Sequence, residues 1–343
     1  MRRLLPALLA AIVILPTRAL AWGDAGHRMI GQIAIEALPA QLPAFLRTTE
    51  AAADVGELAR EPDRWRGAGQ PHDELRDPMH CMYADDSGRL PGGSTFATLP
   101  ATKAAFMAQA TKAGADPDDT GYLAYAIADG YQQLVKDFAF WRADLAGERL
   151  ATDAAKRAWL TADRQRRERQ IVQDIGVWAH YVGDASQPMH LSIHHDGWGP
   201  YPNPRGFTQD KVHVPWEGAY VARNLTPEAV RAELPPPYHP QGALLERIAS
   251  YLAEGRAALN TFYVLEQKGA FRPAGVGASP AWISQGRTYT TQRVALGAGR
   301  LRDLITAAWE ESAAAAVNNY PPVPVVDIET GRADAYDVLH GVN

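Results

Sequence analysis

Eleven residues, HYVGDASQPMH from His180 to His190, restrict the fold more than any other stretch. His180 and Asp184 stand four apart, so on a helix both side chains leave the same face one above the other. Pro188 cannot continue that helix and turns the chain back at His190. A helix end with an imidazole, a carboxylate and a returning imidazole needs partners that neutralise it or a cation it can share.

A second pair repeats the spacing. In VHVPWEGAY, His213 and Glu217 are again four apart, and Pro215 between them suits the first turn of a new helix. Upstream, EPDRWR offers Asp63 with Arg66 three residues later, and DPMHCMY offers His80. The ten histidines are therefore unevenly placed. His180, Asp184, His190, His213 and Glu217 are nitrogen and oxygen donors of the kind that bind zinc, with other N and O site metals left open. Thiolate is nearly absent, because Cys81 is the single cysteine, and it excludes an internal disulfide. His72, His194, His195, His239 and His340 lie in loops or the tail and are set aside as ligands. His194 and His195 are expected at the rim of the donor-rich stretch.

Apolar residues recur at helical intervals over Met29–Leu38, Tyr122–Leu145, Ile171–Val182, Leu244–Phe262 and Val294–Trp309, while strand-like alternation is scarce. The expected fold is all-α, a single compact multi-helix domain over residues 22–343. DRQRRERQ, Asp163 to Gln170, leads straight into an apolar stripe and reads as the wet face of one long helix. Pro and Gly mark loops at Asp85–Ser94, His194–Phe207, Glu233–Gly242 and Gly269–Pro280. NYPPVPVVDIETG, Asn319 to Gly331, is expected to lie extended over the domain.

At the amino end, Arg2 and Arg3 precede an apolar run from Leu4 to Pro16, and Ala19-Leu20-Ala21 supplies small residues for a cut. Residues 1–21 read as a secretory signal whose apolar run is too short to span a bilayer, and no later stretch is apolar enough to do so. Removing them leaves 31 Lys and Arg against 39 Asp and Glu, a formal charge of −8. That is not the footprint of a duplex-binding protein. The expected location is periplasmic or secreted, with no transmembrane segment in the mature chain.

In order along residues 22 to 217, the pieces WGDAGH, Asp63 with Arg66, His80, HYVGDASQPMH, and His213 with Glu217 resemble a known superfamily. It comprises the zinc-dependent single-strand nucleases of fungi and plants (the S-one and P-one enzymes) and the bacterial zinc-dependent phospholipases C. The resemblance implies a trinuclear zinc cleft. Trp22, freed by cleavage, would chelate one ion through its amino nitrogen and carbonyl oxygen, with His27 and Asp184. A second ion would lie among Asp63, His80, His180 and a bridging Asp184, and a third among His190, His213 and Glu217. By the same likeness Asp63 would orient the attacking water and Arg66 would contact the phosphate.

The substrate implied is single-stranded nucleic acid or a nucleotide, alternatively phospholipid. Where those nucleases carry His-Phe-x-Asp to stack and read a base, this chain has His80-Cys81-Met82-Tyr83. Tyr83, Asp85, Asp86, Trp198 or Tyr201 could supply another platform. Glu217 and SQPMH lean toward the phospholipases, and the short Trp22-to-His27 spacing leans toward the nucleases. A zinc-binding protein without turnover is the reading from a different class, and it would need a closed metal shell.

Overall fold

Helix caps and buried stripes account for the framework. The computed structural model describes residues 22–239, 241–273, 276–318 and 320–341, so the signal-like segment 1–21 lies outside the described residues. Helix α1, Gly23–Glu36, buries Met29, Ile30, Ile33 and Ala34. Helix α2, Thr49–Leu58, starts where the Thr48 hydroxyl accepts from the Ala51 amide, which satisfies one of the free N–H groups of a first turn.

Two long helices follow, α3 (Leu123–Leu150) and α4 (Ala154–Asp184). They are joined by a short turn whose Asp153 carboxylate accepts from Ala155 N and Lys156 N at 2.8 and 2.9 Å. Ile171, Ile175, Ala179 and Val182 of α4 are wholly buried. The arginine-rich first half of α4 is the wet face expected: Arg164 meets Glu148 at 2.7 Å and Arg167 meets Asp137 at 3.1 Å.

The run Leu244–Phe262 is two helices rather than one, α5 (Leu244–Ala257) and α6 (Leu259–Gln267). At Ala258 the amide bonds back three residues to Gly255 O, and the Tyr289 hydroxyl donates to Ala258 O at 2.9 Å. That tightened turn redirects the chain where a tertiary donor captures the carbonyl. Helix α7, Pro280–Ser312, then runs through the middle of the protein, buried along most of its length.

The fold is all-α. The one sheet among the described residues is a two-residue pairing of Ala316–Val317 with Val323–Pro324. It belongs to the tail, which is not extended as expected. The tail folds back and forms a helical turn, Val325–Glu329, because Val317, Val325, Ile328 and Ala335 bury themselves against Ala139, Ala143 and Leu160. At 1.5 Å per residue, Leu160 lies about 30 Å along α4 from His180, so the tail does not cover the donor end of that helix. No helix among the described residues is long and apolar enough to cross a membrane.

The carboxyl end of α4 is clamped by α5. Tyr251 Oη donates to Val182 O at 2.7 Å, satisfying a last-turn carbonyl. Gly255 faces the backbone just beyond: a Cβ there would stand 2.1 Å from Ala185 O. Gly255→Ala is therefore expected to push α5 off the end of α4 and cost about 1–3 kcal/mol. Urea unfolding measures it, and an unchanged midpoint would show that the two backbones do not press together.

Asp144, on the α3 face toward α4, is fully buried, and both carboxylate oxygens lack a hydrogen-bond partner among the described residues. Burial, reinforced by Asp163, pushes its pKa up to about 8. The native state then holds a proton that the unfolded chain, with a carboxyl near 4, releases, so this group's contribution to stability falls as pH rises from about 4 to about 8. Asp144→Asn should remove that slope. The difference in unfolding free energy between the two proteins should grow with pH across this window, whereas a constant difference would mean that Asp144 does not titrate there.

Candidate metal centre

Six separate segments bring the donors together. His27 comes from α1, and Asp63 from the short helix Glu61–Arg64. His80 closes the 3-10 turn Asp77–His80, and His180 and Asp184 end α4. His190 sits in the 3-10 turn Pro188–Leu191, the reversal that Pro188 predicts. Glu217 lies on a π-helix, Pro215–Tyr220, with His213 just before it. A helix does begin there as expected, but it is wound with i→i+5 bonds, a form frequent at functional sites.

Three clusters result, each with ligand atoms close enough to hold a metal ion: His27, His180 and Asp184; Asp63, His80 and His180; and His190, His213 and Glu217. Asp184 faces both of the first two. Its Oδ1 is 3.5 Å from His27 Nε2, and its Oδ2 is 3.4 Å from His180 Nε2 and 3.2 Å from His80 Nδ1. Asp63 Oδ1 is 3.9 Å from both His80 Nδ1 and His180 Nε2. In the third cluster His213 Nε2 is 2.7 Å from Glu217 Oε2 and 3.1 Å from His190 Nε2.

The outer ring nitrogens explain the inward lone pairs. His180 Nδ1 donates to Ala59 O at 2.8 Å, and His190 Nδ1 donates to His80 O at 2.5 Å. Each proton is thereby assigned to Nδ1, leaving Nε2 as a free donor pair, the arrangement typical of metal-bound imidazole. His180 Nε2 then lies only 2.8 Å from His80 Nδ1, with the carboxylates beside them. A shared cation relieves that crowding.

Charge tells the same story. Burial raises Asp184 well above the ordinary carboxyl range, with Asp63 adding to the effect. It pushes Asp63 up to about 7 against the pull of Arg66, and it raises Glu217 against His213. Burial holds His80, His180 and His190 well below an ordinary histidine, so they are neutral. His213 is pulled down by burial but ends raised, because Glu217 faces it. Asp184 Oδ1 and Oδ2, Asp63 Oδ1 and Glu217 Oε1 are buried without a hydrogen-bond partner among the described residues. Carboxylates and neutral imidazoles left this way fit dications, which would reverse the carboxyl shifts.

Arg66 Nε stands 3.3 Å from Asp63 Oδ1 and 4.0 Å from Asp77 Oδ1, at the edge of the donors. Trp22 is wholly buried, in a left-handed turn that opens α1. Its indole donates to Gly183 O at 3.0 Å and Ser186 Oγ at 2.9 Å, so the start of α1 is pinned to the last turn of α4. His194 is buried outside the clusters, with Nε2 2.7 Å from Asp86 Oδ1 and Nδ1 2.6 Å from Trp198 O. Sequence reasoning passed over Gln187, which reaches Glu217 Oε2 at 2.9 Å. Its place inside the motif was the available signal.

The segments carrying His80 and His190 run parallel beyond the donors: Met82 N donates to His190 O and Ile193 N to Ala84 O. They form one wall of a cleft of about 810 Å³, which is lined by Tyr83, His195 and Tyr201 and by five aspartates, Asp77, Asp85, Asp116, Asp118 and Asp119, against the single guanidinium of Arg89. Among the expected platform residues, Tyr83, Asp85 and Tyr201 line it. Trp198 does not, because it stacks on His194 at 3.7 Å and packs on Phe207 and Tyr263. Asp86 is engaged by His194. One face of Tyr83 is already covered by His195, with ring centres 4.6 Å apart.

No family model matches this chain, and no curated protein matches it. Among solved structures it is similar to the alpha-toxin of Clostridium perfringens from an avian strain, at 10% identity and a TM-score of 0.33, covering 87% of this chain and 67% of that one. A likeness that loose decides neither fold nor activity.

Asp184 belongs to the first cluster and its Oδ2 faces the second. Since losing even an outer partner of a ligand costs about 10–100-fold in metal affinity, Asp184→Asn should weaken both of those clusters by at least that factor. A chelator competition titration followed by elemental analysis checks this, and a profile identical to the parent's would show that Asp184 faces no metal.

Proposed function

We propose that the protein is an exported zinc-dependent phosphodiesterase of the phospholipase C type. What carries the reading is the third cluster, His190, His213 and Glu217, which brings three side chains. Structural zinc is closed by four protein ligands, whereas catalytic zinc keeps a position for water or substrate. This favours turnover over a purely structural metal. In this reading His27 and Asp184, with the amino nitrogen and carbonyl oxygen of Trp22 once the chain is cut before it, hold one ion. Asp63, His80, His180 and Asp184 hold a second, and His190, His213 and Glu217 a third.

Zinc, when bound, acidifies a water toward neutral pH and offsets phosphate charge. The chain's own residues do the rest. Asp63, beside Arg66 at 3.3 Å, orients the attacking water and accepts its proton. Arg66 directs its N–H groups at the equatorial phosphate oxygens, whose charge grows in the transition state.

The choice between substrates rests on the cleft. Beside the donors the cleft is lined by five carboxylates and one guanidinium, which disfavours a polyanion extending past the metal-bound phosphate, since nucleic-acid binding depends on cationic side chains meeting successive phosphates. A zwitterionic phospholipid brings one phosphate together with a compensating cation. The phenylalanine on which the nucleases stack a base is absent, and Tyr83 is occupied by His195. The single-strand nuclease expectation finds no support in this cleft.

Incubating the processed, zinc-loaded protein with phosphatidylcholine vesicles and, separately, with single-stranded DNA should release phosphocholine and leave the DNA largely intact. Arg66→Ala should lower kcat/KM for the lipid about 10²–10³-fold. Digestion of the DNA alone would return the substrate to nucleic acid. Full metal content with neither product would leave a zinc-binding protein without turnover.

A further inference from the structure

Gln187 stands one residue before the proline that turns the chain out of α4, and it is wholly buried. Its amide nitrogen lies 2.9 Å from Glu217 Oε2 and 2.7 Å from His213 Nε2. Its side-chain oxygen accepts from Met189 N at 2.7 Å, which fixes which end of the amide faces the donors. The main chain of the same residue donates to Asp184 O at 3.0 Å and accepts from His190 N at 3.1 Å. One residue is thus bonded to Asp184 and His190 through its backbone and to Glu217 and His213 through its side chain.

We infer that Gln187 is a positioning residue that selectively builds the His190–His213–Glu217 metal site, by holding the Glu217 carboxylate in the ligating orientation through its amide N–H. The inference rests on the metal reading above. A buried carboxylate on a π-helix has rotamers to choose from, and Glu217 Oε1 has no hydrogen-bond partner of its own among the described residues. The fixed N–H at Oε2 selects one orientation. The amide shares that oxygen with His213, whose Nε2 stands 2.7 Å from it. Neither of the other clusters contains a ligand atom bonded by this amide, so the effect is confined to the third site.

The test uses the whole processed protein loaded with zinc, in its parent form and as Gln187→Leu and Gln187→Glu. Leucine keeps most of the volume but loses the donor. Glutamate keeps the acceptor for Met189 N but presents an oxygen where the N–H stood, adding a carboxylate to the site. Zinc release is followed against a graded competing chelator. In Gln187→Leu one release step should weaken by about 10–100-fold while the others stay in place. In Gln187→Glu, which also lacks the N–H and repels Glu217, the same step should weaken too, and tighter binding there would overturn the inference. Release profiles superimposable on the parent's, or a common shift of every step, would overturn the inference. Should the leucine variant fail to fold, as circular dichroism would reveal, the near-isosteric glutamate variant carries the test alone. A parent protein that binds no zinc would fail the metal reading itself, an outcome distinct from unchanged variants of a zinc-binding parent.

Discussion

Asp184 is a fully buried carboxylate at the carboxyl end of a 31-residue helix, with neither oxygen hydrogen-bonded among the described residues. The end of a helix carries partial negative charge, and cations are the side chains that suit it. The last turn of α4 has no basic residue; it ends on Asp184, with His180 one turn back. Negative charge and inward-facing lone pairs are therefore concentrated where solvent cannot reach them. A dication at such a point would balance it without protonating the carboxylate.

The surrounding architecture holds that point in place. Trp22 locks α1 to the Gly183 turn, Tyr251 and Gly255 press α5 against the residues on either side of Asp184, and the backbone carbonyls of Ala59 and His80 orient two imidazoles. None of these groups is itself one of the His, Asp or Glu donors, yet each restricts a donor or the helix that bears one. Preorganisation of this kind removes the reorganisation cost from metal binding and from any transition state the metals would face.

Acidic residues serve two purposes in this chain. Some are buried in the donor clusters, where cations would cancel them. Others line the neighbouring cleft, where Asp85 and Asp116 also hold turns and helix starts through bonds to backbone N–H groups. Net charge alone cannot separate these groups.

Side-chain type and local spacing by themselves determined much here. The all-α class, the four-residue spacing of His180 with Asp184 and of His213 with Glu217, and the reversal at Pro188 are consequences of short-range geometry. The break at Ala258, the folded tail and the π-winding around Glu217 came only with tertiary structure, because each depends on a partner distant in the chain or on packing that local propensity does not encode. Gln187 belongs to the same class. Its residue type is unremarkable within the motif, and its contact with Glu217 exists only because a loop of two dozen residues returns the π-helix to the end of α4. Sequence set which donors are present and which of them share a helix face; the tertiary fold decided which donors meet, since hydrogen bonds and burial between remote segments select one arrangement among the many that local spacing allows.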